Sequence, residues 1–169
     1  IVLYHPTIAV LNNIALDHKP VAELVPVFRQ FLDNSARQVL NITNDAVAAL
    51  APDYAATALT VGIDTSLAQL QAHALCASPL GISAEIQYVT TGERGSLTLQ
   101  VIGRHNVENA LCAIGAAVLS GVTLADACQA LAGFTGVARR LQTVKNINNI
   151  SVIDDFAHNP DKIKASLSC

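Results

Sequence analysis

The 169-residue sequence has no methionine, and charged side chains make up only 14% of it. The missing methionine leads us to expect a chain whose first residues are cut away or not represented. No basic stretch precedes the first apolar residues, so no secretory leader is expected. The few Lys and Arg never form a run and the formal charge is −3, which excludes the electrostatic footprint of a nucleic-acid binder. Long hydrophobic runs are also missing. The longest, Ala110 to Leu119, is too short to cross a bilayer and contains Gly115, so a packed interior helix is expected and no membrane partner. Cys76, Cys112, Cys128 and Cys169 form no CxxC pair. That argues against a zinc site or disulfide framework and for buried free thiols in a reducing cytosol. Finally, there is no Gly-Lys pair, and hence no G-x-x-x-x-G-K-[ST] loop to cradle a triphosphate.

What is present is apolar. Hydrophobic residues are 51% of the chain and the mean hydropathy is +0.41, enough to bury a real core and to exclude disorder. Ile8–Asn12, Val39–Ile42 and Ala58–Ile63 read as short buried strands. Val21, Leu24, Phe28 and Phe31/Leu32 between the first two recur at helical spacing. Pro20 suits the first turn of that helix, and Pro26 delays or kinks it. Thr43 or Asn44 caps a short helix that Pro52 stops. This alternation is the signature of an α/β sheet. Leu70–Cys76, Ile82–Thr90 and Leu97–Ile102, set apart by Pro79, Gly81, Gly92 and Gly95, predict an antiparallel meander beside it. Helices return at His105, with Val107, Leu111, Ile114 and Val118 on one face and Gly121 as the stop. Thr123 and Asp126 have capping-box spacing for a second helix ending near Gly133. Ile150–Ile153 reads as a strand, and Asn159-Pro160-Asp161 opens a last helix.

Polar residues concentrate in four segments. Asn12-Asn13-Ile14-Ala15-Leu16-Asp17-His18 directly follows the first strand, and ligands bind outside the carboxyl ends of strands in open α/β sheets. A neutral imidazole there can hold a divalent cation or orient a water; capping the next helix is the plainer alternative. His105, Asn106 and Asn109 open a helix and share a face. One imidazole and two amides carry the paired donors and acceptors that read a purine edge, although Asn106 also suits ordinary capping. Arg139-Arg140 can grip phosphate as a bidentate fork or stand as a solvated basic pair. Asp154-Asp155-Phe156-Ala157-His158-Asn159-Pro160 joins a strand to a helix, where Asp155 and Asn159 also suit a turn and a cap.

Taken in order, these segments, with Gly103-Arg104 before the third helix and Gly136-Val137-Ala138 before the arginines, resemble the Mur ligase family: ATP-dependent enzymes that join an amino acid or peptide to a carboxylate. The resemblance implies roles. His18 helps place a magnesium ion at the catalytic centre. His105, Asn106 and Asn109 contact the adenine of ATP. Arg140, a better match than Arg139, reaches the nucleotide phosphates from the next domain and supports catalysis. Asp155 contacts the ribose, and His158 stands beside the incoming amino acid or peptide substrate. Some members carry a modified Lys where this chain has Phe28-Arg29-Gln30-Phe31-Leu32. Its absence, with the Arg-Arg pair, is similar to the alanine-adding and muropeptide-recycling branches. Phe156-Ala157-His158 is closer to the recycling branch, and Asn159 departs from both.

The expected fold class is therefore α/β: a partial, mostly parallel sheet with helices plus an antiparallel meander. Residues 1–135 are expected to be the rear of the central ATPase domain and residues 136–169 the start of the C-terminal domain. The resemblance implies a cytoplasmic parent enzyme using ATP and magnesium on a UDP-sugar or muropeptide, with an acyl phosphate intermediate. Without a phosphate loop, these residues alone are expected to be inactive. Arg140 and Asp155, beyond the domain boundary, can sit apart from the pocket of His18, His105, Asn106 and Asn109. A folylpolyglutamate- or cyanophycin-type ligase is a rival that the missing Lys and the Arg-Arg pair count against. A non-catalytic nucleotide- or protein-binding module is a second, favoured only by the missing loop.

Overall fold

The computed structural model describes residues 3–16, 19–148, 150–158 and 160–167, with backbone alone for 143, 146 and 160–162. Strands β1 (Ile8–Leu11), β2 (Arg37–Asn41) and β3 (Ala58–Ile63) pair in parallel. Their centres are apolar because helices cover both faces. Along β2, Val39 packs into one layer and Leu40 into the other. Helix α1 (Val21–Asp33), the short α2 (Asp45–Ala48) and a 3-10 turn (Ala51–Tyr54) cover one face, burying Leu32, Val47, Leu50 and Tyr54. Helices α3 (Arg104–Leu119) and α4 (Leu124–Leu131) cover the other, with Leu111 and Ile114 in one cluster with Val39, Leu59 and Val61.

The helix ends follow their sequence signals. Pro20 is the N-cap of α1, which continues through Pro26. Asn44, rather than Thr43, caps α2 by accepting the Val47 N–H at 3.1 Å. Thr123 accepts the Asp126 N–H at 3.1 Å and donates its hydroxyl to that carboxylate at 2.7 Å.

Strands β4 (Leu70–Ser78), β5 (Gly81–Tyr88) and β6 (Glu93–Leu99) form the antiparallel meander. They stand beside the parallel strands as an extension of the same sheet. Leu70, Gln71 and Ala72 pair in parallel with Val61, Gly62 and Ile63, giving one six-stranded sheet in chain order. The overlap is short, so residues 64–69 need only retrace the end of β3; Asp64 starts that return with φ 52°. The last strand lies earlier than expected because Gly95 belongs to it, opposite Ile86. A β-carbon there would stand 3.2 Å from Cys128 Sγ; its absence lets α4 close on β6. The turn falls at Gly92, with φ 77°.

Beyond α4, β7 (Gln142–Ile147) and β8 (Ile150–Asp154) form a separate antiparallel hairpin, followed by α5 (Pro160–Leu167). The sequence reading anticipates β8 and α5 but not β7, whose alternation is broken by an irregularity between Thr143 and Lys145. Cys112 and Cys128 are buried free thiols, whereas Cys76 is exposed, contrary to expectation. It lies just past a register shift between His73 and Cys76, where β4 leaves the covered part of the sheet. Cys169 lies outside the described residues. Among the described residues, no helix is long and apolar enough to cross a membrane.

Candidate functional site

The site begins at the carboxyl ends of β1 and β2. Asn41, the last residue of β2, is fully buried. Its Oδ1 accepts the Thr43 N–H at 3.1 Å, and its Nδ2 donates to Asn12 Oδ1 at 2.9 Å and to Glu108 Oε2 at 3.2 Å. Asn12, the residue after β1, donates from Nδ2 to Asn109 Oδ1 at 2.6 Å. Asn109 Nδ2 donates to Asn106 Oδ1 at 3.3 Å, and Asn106 Nδ2 donates to the Ile102 carbonyl at 2.8 Å. A line of amides thus runs from the sheet to the head of α3. Cys112 adds a weak S–H bond to Asn12 Oδ1 at 3.5 Å. Burial, with the Glu108 carboxylate as the smaller cause, pushes its thiol up to about 12, so it stays protonated and unreactive.

A cleft of about 510 Å³ opens where this line reaches the surface. That is within the size range of ligand pockets, roughly 300–1,000 Å³. His105, Asn106 and Asn109 line it from the head of α3, and Arg140 and Asp155 line it from the segments flanking the β7–β8 hairpin. Leu99, Val101, Leu131 and Phe134 supply apolar walls. These walls are not legible in the sequence, because nothing in an apolar residue's local spacing says that it faces a cleft rather than the core. Burial lowers the pKa of the half-buried His105, against the opposing pull of Glu108 and Asp155. Burial thus favours the neutral ring.

The two arginines diverge. Arg140 is exposed at the cleft, its guanidinium 5.8 Å from the Phe156 ring centre. Arg139 lies over the same ring at 5.3 Å, and its Nε is 3.7 Å from Asp154 Oδ2. The backbone at Arg139 and Leu141 is left-handed, with φ 60° and 47°. Asp155 holds this turn: its Oδ1 accepts the Leu141 N–H at 3.3 Å, and its Oδ2 accepts the Ser166 hydroxyl. The Ser166 bond is the main reason that its pKa lies below the ordinary carboxylate value; the Leu141 N–H and Arg140 add to it against a partial burial penalty. Both Asp155 oxygens therefore already have structural partners.

His158 does not line the cleft. It is exposed, its ring edge-on to Phe156 at 5.1 Å and its Nδ1 3.0 Å from the Phe156 carbonyl. Asp17, His18 and Asn159 lie outside the described residues, so the magnesium expectation for His18 has no geometry here. Among the described residues, no three His, Cys, Asp or Glu side chains gather into a group able to hold a metal. The donors near the cleft are mainly amides, unlike the carboxylate set that magnesium prefers.

An α/β sheet with a cleft outside the carboxyl ends of its strands belongs to the class of proteins that bind ligands at that edge. The family model for the Mur ligase middle domain matches residues 2–117, and the chain belongs to that family. It is 38% identical over 177 residues to the UDP-N-acetylmuramate–L-alanine ligase of Synechococcus sp. (strain JA-3-3Ab), covering 99% of this chain and 33% of the relative. It is 50% identical over 68 residues to the UDP-N-acetylmuramate–L-alanyl-γ-D-glutamyl-meso-2,6-diaminoheptandioate ligase of Haemophilus influenzae, covering 40% of this chain and 15% of the relative. The crystal structure of UDP-N-acetylmuramate–alanine ligase from Thermotoga maritima superposes with a TM-score of 0.81 at 26% identity, over 99% of this chain and 38% of that one. The chain spans about a third of the length of the curated relatives that match it along its whole length.

Proposed function

We propose that the chain supplies the nucleotide-base cleft and part of the catalytic centre of a cytoplasmic, ATP-dependent ligase. The ligase joins an amino acid or peptide to a UDP-N-acetylmuramate-type carboxylate in peptidoglycan synthesis or recycling. The observation that carries this reading is the convergence of His105, Asn106, Asn109, Arg140 and Asp155 on one cleft. Adenine fits between Leu131 and Phe134 on the apolar side and the α3 amides on the polar side. Arg140 stands at the rim, where its guanidinium can meet phosphate oxygens and offset the charge that grows during phosphoryl transfer. Asp155 keeps the Arg140 turn in place and offers remaining lone pairs to a ribose. The amine then displaces phosphate from the acyl phosphate through a tetrahedral intermediate. Most of the rate advantage comes from positioning and electrostatics.

His18 is proposed to contribute to a magnesium site, where the ion would offset phosphate charge. Residues 1–135 and 136–169 are assigned to the central and C-terminal domains. His158, outside the cleft but close to it in sequence, is assigned to the incoming amine. The strong local identity to a tripeptide-adding enzyme and the Phe156-Ala157-His158 segment favour a peptide as the added group; L-alanine is the other candidate.

The 169 residues contain no phosphate loop, so they alone are expected to turn over no ATP. The test is a titration of the purified, isotope-labelled chain with MgATP, followed by NMR. Shifts at the backbone amides of His105, Asn106 and Asn109 without phosphate release are expected. No shift at those amides overturns the cleft assignment. Magnesium-dependent hydrolysis abolished by His18→Ala overturns the inactivity.

A further inference from the structure

We infer that Asn12, anchored by the buried Asn41, is a positioning residue that sets which way the Asn109 amide faces and so makes the cleft prefer adenine to guanine. This rests on the nucleotide reading above. An Asn side chain has oxygen and nitrogen ends of nearly equal shape, and only its partners decide which end points where. Here both ends of the amide line are fixed by groups that cannot reverse. At the sheet, the Thr43 N–H can only donate, so Asn41 must turn Oδ1 towards it. Asn41 Nδ2 then faces Asn12 and Glu108, and a carboxylate at Glu108 can only accept. Asn12 must present Oδ1 to Asn41, which leaves its Nδ2 for Asn109. At the far end, the Ile102 carbonyl can only accept, so Asn106 must give it Nδ2 and turn Oδ1 to Asn109. The two ends demand the same polarity. Reversing any one amide sets oxygen against oxygen or N–H against N–H, and at the fully buried Asn41 that leaves a polar atom unpaired.

The polarity reaches the ligand through Asn109, which lines the cleft. With Oδ1 held by Asn12 and one N–H given to Asn106, Asn109 keeps one N–H and one oxygen lone pair in a fixed order. Adenine offers a complementary donor and acceptor at N6 and N7; guanine offers two acceptors, O6 and N7, and meets the amide oxygen with a lone pair. One bidentate contact of this kind separates the right base from the wrong one by about tenfold or more.

The test is Asn12→Asp in the whole 169-residue chain, with AMP and GMP as probes in NMR titrations. The substituted carboxylate keeps the size and still accepts from Asn41, but cannot donate, so the Asn109 amide turns Nδ2 to it; the charge-assisted bond outweighs the oxygen that Asn106 then opposes to it. AMP and GMP carry the same phosphate, so the added charge cancels in the ratio of their affinities. The wild-type chain is expected to prefer AMP by about tenfold, and Asn12→Asp to bring the two within about twofold. Asn12→Ser, too short to reach Asn109, leaves Asn106 alone to orient that amide and should lower the preference without erasing it; it serves if the Asp variant does not fold. A wild-type preference that survives both variants undiminished overturns the inference and leaves the nucleotide reading standing. Equal wild-type affinities also overturn it. Absence of binding by either nucleotide overturns the nucleotide reading and the inference with it.

Discussion

Gly115 of α3 lies so close to Val39 of β2 that a β-carbon on it would stand 2.9 Å from Val39 Cγ1, and 3.3 Å from Val61 Cγ1. This contact sets the height of the helix above the sheet. It also sets the reach of Glu108 and Asn109, about two turns earlier, to Asn41 and Asn12. Gly115→Val is expected to destabilise the chain by about 2–3 kcal/mol through overpacking. Gly115→Ala should cost less, because a helix-propensity gain of about 1 kcal/mol offsets part of the clash. Urea midpoints of the two variants check this; an unchanged midpoint for Val would mean that the helix can back away freely.

A second glycine fixes the head of the same helix. Gly103, the N-cap of α3, has φ 99° and ψ 136°, a conformation that a side chain strongly disfavours. Gly103→Ala should cost about 1–3 kcal/mol. It should also displace His105 and Asn106, so thermal stability and AMP binding fall together. Loss of stability with intact AMP binding would separate the cap from the cleft.

Much of this arrangement is legible in the sequence. The buried runs at Ile8–Leu11 and Ala58–Ile63 announce a parallel sheet, and helical spacing alone puts His105, Asn106 and Asn109 on one face. The partners of that face are not legible. Asn12 and Asn41 come level only because Leu11 pairs with Leu40 in the parallel register, and no local pattern states a register between distant strands. Strand β7 is hidden for a different reason: its irregularity after Thr143 breaks the period of two by which strands are recognised. Arg140 and Asp155 could have sat apart from the cleft. They line it together, and the left-handed turn at Arg139 and Leu141 that carries Arg140 is tied to Asp155.

On the opposite face of the sheet, the Tyr54 hydroxyl donates to Asp33 Oδ1 at 2.7 Å, joining the 3-10 turn to the end of α1. Burial and, next, the Asp33 bond raise its pKa from 10.0 to about 12. A phenol with a raised folded pKa adds stability that is fully present below its unfolded value and is lost as pH rises through the folded one. Wild-type stability should therefore decline between pH 10 and about 12. Tyr54→Phe should lose about 1 kcal/mol at pH 8 and lack that part of the alkaline decline. Urea midpoints at pH 8 and 11 decide it; parallel pH profiles would exclude Tyr54 as the source.

Asn109 and Arg140 both line the cleft, and their chemistry separates their effects in the intact ligase. Asn109 is proposed to read the base, which is the same in the ground state and the transition state. Asn109→Ala should therefore raise the KM for ATP by about tenfold and leave kcat nearly unchanged. Arg140 is proposed to meet phosphate oxygens whose charge redistributes as the phosphoryl group moves. Its interaction is stronger in the transition state, so Arg140→Ala should lower kcat by about 100-fold or more, with a smaller change in KM. Arg140→Lys restores charge but not the fork and should recover only part of that loss. Steady-state kinetics of the three variants, with ATP varied at saturating amine and carboxylate substrates, check the split. Wild-type values for both Ala variants would remove these residues from the site. A pure KM effect for Arg140→Ala would make it a binding residue rather than a catalytic one.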